Sequence, residues 1–157
     1  MELPYLDLGT GDSTFSSTTT IRFSVDGPAD TFVDVKPKQL VSAHLNGSPL
    51  DLAGFDDGRL PLRGVSGDNE LVVEAVMGYR NDGEGLHRAV DPADGKSYTY
   101  AMSFLDAAPS IFACFDQPDL KAPYTFHVRA PRDWVVVGNG RGEQVEPGRW
   151  EFATTQP

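Results

Sequence analysis

The stretch that decides the fold reads Phe15-Ser16-Ser17-Thr18-Thr19-Thr20-Ile21-Arg22-Phe23-Ser24-Val25. Its apolar side chains all fall on odd positions, together with Ser17 and Thr19, whereas the even positions carry only Ser, Thr and Arg. Side chains in a β-strand alternate between the two faces of a sheet, so this period of two predicts a long, half-buried strand.

The same signals recur along the rest of the chain. They predict further strands at residues 41–45, 60–62, 71–79, 97–103, 124–130, 134–137, 144–145 and 149–152. Asn46-Gly47 after the first of these indicates a hairpin turn. Pro61 places 60–62 at a sheet edge or strand end, and the apolar segment 71–79 is expected in the centre of a sheet.

No segment shows a helical stripe over three turns, and 16 Gly and 12 Pro indicate frequent turns. The chain is therefore predicted to be all-β, an antiparallel β-sandwich or saddle with long loops, forming one domain over residues 1–157. Residues 81–96 are interpreted as a long loop, and residues 105–110 as an irregular stretch with one turn of helix.

Charge and composition exclude several classes of function. The formal net charge is −10 and there is no Lys/Arg cluster, so nucleic acid and anionic lipid are excluded as partners. The single cysteine, Cys114, excludes an intrachain disulfide. The apolar runs are far too short for a membrane helix, and the first residues lack the features of a signal peptide. We therefore expect a soluble, cytoplasmic protein.

The residues that could carry chemistry form no catalytic or metal-binding pattern. His44, His87 and His127 lack the spacing of zinc ligands, and no HExxH or Gly-x-Ser-x-Gly motif is present. The carboxylates beside glycine, such as Asp82 and Asp94, are typical of turns. We expect neither a catalytic residue nor a metal site in this chain.

Aromatic residues suggest a different class of function. Trp134, Trp150 and several tyrosines on a sandwich could form a flat platform for sugar binding. The competing interpretation is that they pack in the core and at its edge, which their spread through the chain favours.

Three motifs are shared with a known family. They are Gly85-Leu86-His87-Arg88-Ala89-Val90-Asp91-Pro92, then Ser97-Tyr98-Thr99-Tyr100, and Phe112-Ala113-Cys114-Phe115-Asp116-Gln117-Pro118-Asp119-Leu120-Lys121-Ala122. Ala130-Pro131 and Trp134-Val135-Val136-Val137-Gly138-Asn139-Gly140 continue the match. In these features the chain resembles aminopeptidase N, of the gluzincin zinc aminopeptidase family and its actinobacterial type, over nearly its whole length.

The resemblance implies the saddle-shaped β-sandwich that precedes the catalytic domain in that family. It also implies a longer parent protein, in which the catalytic domain would be this domain's partner, hold zinc and cleave N-terminal residues from a peptide substrate. The HExxH helix of the family lies beyond Pro157, so the chain is expected to be the N-terminal piece and to bind no zinc itself.

The resemblance also points to a candidate substrate-cleft surface at Met102, Ser103 and Phe104. In the family, a Gln and a Glu reach the pocket for the substrate's amino terminus, and these positions are Met102 and Phe104 here. The family's Asp-Ala-Arg-Arg falls on residues 107–110, which read Ala-Ala-Pro-Ser. Met and Phe offer neither the acceptors nor the negative charge that a free α-ammonium group needs. The departure therefore implies one of three things: the glutamates of the catalytic domain alone hold the amine, the specificity is altered, or the parent is inactive.

Two alternatives remain open from the sequence. The chain could be a free-standing β-sandwich module that binds sugar or protein, which requires Trp134 or Trp150 to be exposed. It could also be the N-terminal domain of a degenerate, inactive aminopeptidase.

Overall fold

The computed structural model describes all residues, 1–157, and its regular secondary structure is almost entirely β-strand. The ten strands are β1 Glu2–Asp7, β2 Thr14–Asp34, β3 Gln39–Leu45, β4 Ser48–Pro49, β5 Arg59–Gly78, β6 Gly85–Val90, β7 Ser97–Met102, β8 His127–Arg129, β9 Gly142–Glu146 and β10 Arg149–Phe152. Two single-turn 3₁₀ helices lie at Leu52–Gly54 and Ala108–Ser110, and neither could cross a membrane.

Eight strands form one large sheet in the order β4-β3-β5-β2-β1-β8-β10-β9, and β6 and β7 form a second, two-stranded sheet. The predicted all-β class is confirmed. All neighbouring strands are antiparallel except β1 and β8, which run parallel. A parallel pair needs a long crossover between its strands. Here strands β2 to β5 of the same sheet and the β6–β7 hairpin lie between β1 and β8 in the sequence.

The two longest strands, β2 and β5, form the spine of the large sheet. They pair from Thr14 opposite Gly78 to Asp34 opposite Arg59, with register shifts around Ala29. Such shifts bend a strand and increase its twist, which curves the sheet. The odd positions predicted to face inward do so, because Phe15, Ser17, Thr19 and Ile21 are buried.

The core lies on the inner face of this curved sheet. Its largest fully buried apolar side chains come from β2, β5 and the adjoining residues, and they are Phe15, Ile21, Val33, Val35, Leu60, Leu62, Leu71, Val73 and Met77. The segments 60–62 and 71–79, predicted as two strands, fall in the single strand β5, except for Tyr79, which directly follows it. As predicted, residues 71–76 are central, between β3 and β2, whereas residues 59–62 pair with β2 alone.

Three sequence predictions need correction. Residues 81–96 are not one long loop, because they contain β6, which pairs with β7. Residues 134–137 form no strand, and only His127–Arg129 of the predicted strand 124–130 is a strand. The three errors have one cause. A segment becomes a strand only where a partner strand lies beside it, and the sequence of the segment alone does not encode that partner.

The hairpin predicted at Asn46-Gly47 joins β3 to β4 and has positive φ at both residues, 52° and 80°. A two-residue turn of this type matches the twist of the strands and favours glycine at its second position.

We expect Gly47→Ala to lower the free energy of unfolding by about 1 kcal/mol, because an L side chain is strained at positive φ. The matched control is Gly27→Ala in β2, where φ is not positive and no atom lies within 4 Å of a new Cβ. Urea unfolding of both variants tests this. Equal losses would contradict the role of the turn.

Candidate functional site

The β6–β7 hairpin carries the candidate residues, and it is attached to the end of β5. The Arg80 N–H donates to the Leu86 carbonyl at 2.9 Å, and the Arg88 N–H donates to the Arg80 carbonyl at 2.9 Å. The Leu86 side chain is buried in the common core. These contacts hold β6 against the large sheet, so the hairpin is a fixed part of the domain.

Gly85 begins β6 at a point where no other residue fits. Its φ is +63°, and a Cβ placed there would lie 2.3 Å from the Ser110 Oγ. Ser110 is buried, and its hydroxyl donates to the Ala107 carbonyl at 2.6 Å, so it cannot move aside without losing that bond. Glycine is required both by the backbone conformation and by the close approach.

Arg88, farther along β6, fastens this strand to the loop between β1 and β2. Its guanidinium donates to the carbonyls of Gly11 and Asp12, both at 3.0 Å, and to the Asp12 carboxylate at 2.8 Å. It also lies over the ring of Tyr79, 5.1 Å from the ring centre. Tyr79 itself donates to the Leu8 carbonyl, and burial raises its pKa to about 12. Arg88 therefore positions the hairpin.

His87, from the same motif, has a structural role. Its Nδ1 accepts a hydrogen bond from the Gly83 N–H at 3.0 Å, and its ring lies 4.8 Å from that of Tyr100. The preceding turn is tied by Arg80, whose hydrogen bond to Asp82 lowers the pKa of that carboxyl to about 2. Gly-Leu-His-Arg is thus a motif that docks a hairpin.

The outer side of this hairpin presents apolar side chains to solvent. We call them the hairpin strip, consisting of Tyr98, Tyr100, Met102, Phe104 and Leu105, all exposed. The first three alternate along β7, so they share one face of the strand. Clustered exposed apolar side chains of this kind mark interaction sites.

The structure brings the three predicted cleft residues together at the end of β7. Met102 is its last residue, and the Ser103 carbonyl accepts a hydrogen bond from the Ala107 N–H at 2.9 Å, which closes a turn. Phe104 lies in that turn with φ +43° and 69% of its surface exposed. Positive φ is rare and strained for a bulky residue, and such strain clusters at functional positions.

The strip ends at Leu105, which is 83% exposed. Directly after it the chain turns inward, and Ala107, Pro109 and Ile111 are buried. Only the residues before Ala107 are therefore available to a partner.

The donor set of this chain does not fit zinc. No group of three or more His, Cys, Asp or Glu side chains is placed to hold a metal ion. The three histidines lie on three different strands, and the Nδ1 of His127 is 3.3 Å from the Glu151 carboxylate. Burial raises the pKa of the Cys114 thiol, which keeps it protonated rather than a thiolate ligand.

The two tryptophans form no binding platform. Trp134 and Trp150 are both partly buried and pack against the core, as the competing interpretation required. The hypothesis of a free-standing sugar-binding module required one of these tryptophans to be exposed, and neither is.

Sequence reasoning missed β6 and the anchoring by Arg88. A signal was present, because Asp94-Gly95 is a turn signal and residues 86–90 before it have the length of a strand. The glycines and acidic residues around them favoured the loop interpretation instead.

The region that contains the β6–β7 hairpin is similar to known proteins. A family profile described as Peptidase M1 N-terminal domain matches residues 64–157, which include the hairpin and the strip. The chain is 42% identical over 145 residues to aminopeptidase N of Streptomyces lividans, covering 90% of this chain and 17% of that protein. The chain thus spans only a small part of the relative's length.

A solved structure shares the fold. It is yeast LTA4 hydrolase in complex with bestatin, with a TM-score of 0.76 and 18% identity over 96% of this chain and 25% of that chain. Because the profile matches more than half of the residues, the chain belongs to the family of Peptidase M1 N-terminal domains.

Proposed function

We propose that this domain is the non-catalytic N-terminal part of a zinc-dependent aminopeptidase, in which it docks on the catalytic domain and forms one wall of the substrate cleft. The longer protein would remove N-terminal residues from peptides in the cytoplasm. Zinc would be held by the catalytic domain, because this chain has no suitable donor set.

The observation that carries the proposal is the hairpin strip on a firmly anchored hairpin. A bulky residue held at positive φ and mostly exposed, Phe104, costs stability in the domain alone. Burial of the strip against a partner would offset that cost, since removing apolar surface from water contributes about 25 cal/mol per Å².

The chemistry of the strip also bears on which substrates the cleft accepts. A free α-ammonium group needs acceptors and negative charge, and neither Met102 nor Phe104 supplies them. We propose that these residues contact apolar parts of the peptide, while the amine is held by groups of the catalytic domain. The specificity would then differ from that of relatives with Gln and Glu at these positions.

Variants of the strip test the proposed role. Phe104→Asn is expected to stabilise the 157-residue chain by about 0.5–1 kcal/mol, because Asn tolerates positive φ better than Phe. In the longer protein, Phe104→Asn and Leu105→Ser are each expected to lower kcat/KM for an aminoacyl anilide by about tenfold or more. The control is Val41→Ser, which alters an exposed valine on β3.

The outcomes separate the alternatives. Unchanged kcat/KM in both strip variants would contradict the cleft-wall role. A longer protein that binds no zinc and cleaves nothing even without mutation would instead be a degenerate aminopeptidase. If the 157-residue chain cleaved the substrate unaided, a non-catalytic role would be wrong.

A further inference from the structure

The chain contains two Asn-Gly pairs, and they differ in how firmly the structure holds the asparagine. The pairs are Asn46-Gly47 and Asn139-Gly140. An asparagine before glycine loses its side-chain amide most readily, because glycine has no side chain to hinder attack by its backbone nitrogen on the asparagine Cγ. Whether a pair reacts in the folded chain depends on whether these two atoms can approach each other.

The side chain of Asn46 is held at both of its polar atoms. Its Oδ1 accepts a hydrogen bond from the Glu70 N–H at 2.8 Å, and its Nδ2 donates to the Asn69 Oδ1 at 3.0 Å. The Asn46 N–H also donates to the Glu70 carbonyl at 2.8 Å. Rotation of the Cγ onto the Gly47 nitrogen would break both side-chain hydrogen bonds, so the fold protects this pair.

Asn139 has no such restraint. It is exposed and lies in a bend before β9. Its side chain takes part in no hydrogen bond, and neither its backbone nor that of Gly140 takes part in a backbone–backbone hydrogen bond. The Asn139 Cγ can therefore approach the Gly140 nitrogen without the loss of any hydrogen bond.

We propose that Asn139 is a site of spontaneous deamidation and that Asn46 is not. The Gly140 nitrogen forms a bond to the Asn139 Cγ and gives up its proton, while the bond between Cγ and the side-chain nitrogen breaks and ammonia leaves. Water then opens the resulting succinimide. Opening at Cγ gives an aspartyl residue, and opening at the main-chain carbonyl gives an isoaspartyl residue, whose backbone runs through the side chain. The reaction consumes only water.

The surroundings of Gly140 give the isoaspartyl product a structural consequence. A Cβ at Gly140 would lie 2.9 Å from the Ala153 carbonyl oxygen, so the two backbones pass close to each other. The Ala153 N–H also donates to the Arg141 carbonyl at 2.9 Å. An isoaspartyl residue inserts an extra carbon into the backbone directly before Gly140, and close packing leaves little room for it. We therefore expect this product to loosen the chain beside Ala153.

Incubation of the folded 157-residue chain at pH 8, followed by peptide mapping, tests the proposal. Deamidation is detected as the mass gain on replacement of the amide NH₂ by OH, and circular dichroism checks that the chain stays folded. We expect Asn139 to react about tenfold faster than Asn46, or more, because only Asn46 must first break its hydrogen bonds. In concentrated urea the two pairs should react at similar rates, since glycine follows both.

Two variants separate the reaction from its consequence. Asn139→Gln should stay intact, because the longer side chain would have to close a larger ring. Asn139→Asp carries the new charge on an ordinary backbone, so its urea midpoint should match that of the unmodified chain. The isoaspartyl product, isolated by chromatography, should unfold at a lower urea concentration than Asn139→Asp.

Three results would overturn the proposal. Equal rates for the two pairs in the folded chain, or a faster reaction at Asn46, would show that the structure does not select Asn139. Reaction of Asn139 in urea but not in the folded chain would show that the fold holds the pair apart. Equal urea midpoints for the isoaspartyl product and Asn139→Asp would contradict the structural consequence. None of these measurements depends on the cleft-wall role.

Discussion

Replacing Gly85 by alanine is expected to lower the free energy of unfolding by about 3 kcal/mol and to detach the β6–β7 hairpin. Two costs add at this position. The φ of +63° strains any L residue, and the new Cβ would lie 2.3 Å from the Ser110 Oγ and 2.9 Å from the Arg80 side chain. Relief requires breaking the buried Ser110–Ala107 hydrogen bond or shifting β6.

The control for Gly85→Ala is Gly95→Ala in the turn between β6 and β7. Gly95 also has a positive φ, +69°, but no atom lies within 4 Å of a new Cβ. We expect it to cost only about 1 kcal/mol, the price of the backbone conformation alone. Urea unfolding of both variants measures the difference. Equal losses would show that the approach to Ser110 does not constrain the hairpin.

This prediction bears on function, because the hairpin strip depends on the anchoring of β6. If Gly85→Ala displaces the hairpin, the longer protein should lose kcat/KM together with stability. Gly95→Ala should leave kcat/KM close to the unmutated value, since the turn lies at the far end of the hairpin from Met102.

Glu2→Gln is expected to remove a pH dependence of stability of about 3 kcal/mol. Glu2 lies on the buried face of β1, and its Oε2 has no hydrogen-bond partner. Burial raises its pKa from 4.5 to about 7, an effect that the Tyr124 hydroxyl and the Phe115 N–H only partly offset. The folded domain therefore holds a proton that the unfolded chain releases near pH 4.5.

The direction of the effect follows from proton binding. Between about pH 4.5 and pH 7 the folded state binds more protons than the unfolded state, so stability falls as the pH rises. The contribution is complete below pH 4.5 and lost above pH 7, and a tenfold change in proton affinity corresponds to about 1.4 kcal/mol. Gln stays neutral, so the variant should be the more stable protein at pH 8.

Urea unfolding from pH 4.5 to 8 measures this difference. Glu143→Gln, on exposed β9, is the control and should keep the pH profile of the unmutated chain. Parallel profiles for the Glu2 variant and the unmutated chain would show that Glu2 is not the group responsible. Burial also raises the pKa of the Asp116 carboxyl, so a smaller slope of the same sign should remain in the Glu2 variant.

Much of the fold followed from local pattern. The alternation from Phe15 to Val25 identified the inner face of β2, because a half-buried strand must separate apolar from polar side chains. Asn46-Gly47 identified the β3–β4 hairpin, because few residues accept positive φ at both positions of the turn.

The failures have a common physical cause. Residues 134–137 have the composition of a strand, yet a strand exists only where a neighbour completes its hydrogen bonds, and none lies beside them. Residues 85–90 have weaker local preference but do form a strand, since Arg80 and β7 pair with them.

The candidate site likewise combines features that are evident from the sequence with features that depend on the tertiary structure. Resemblance to a family suggested Met102, Ser103 and Phe104 as cleft candidates, and the apolar character of two of them is evident from their residue types. Their exposure, the positive φ of Phe104 and the clash that makes Gly85 necessary all depend on residues distant in the sequence.

Residue order alone therefore specified which faces are apolar and where the chain turns, because side-chain alternation and turn conformations involve only neighbouring residues. The parallel placement of β8 beside β1, the docking of the hairpin by Arg88 and the burial of Glu2 arose only in the folded domain. These features depend on contacts between distant segments, whose free energy comes from packing and desolvation in the assembled core.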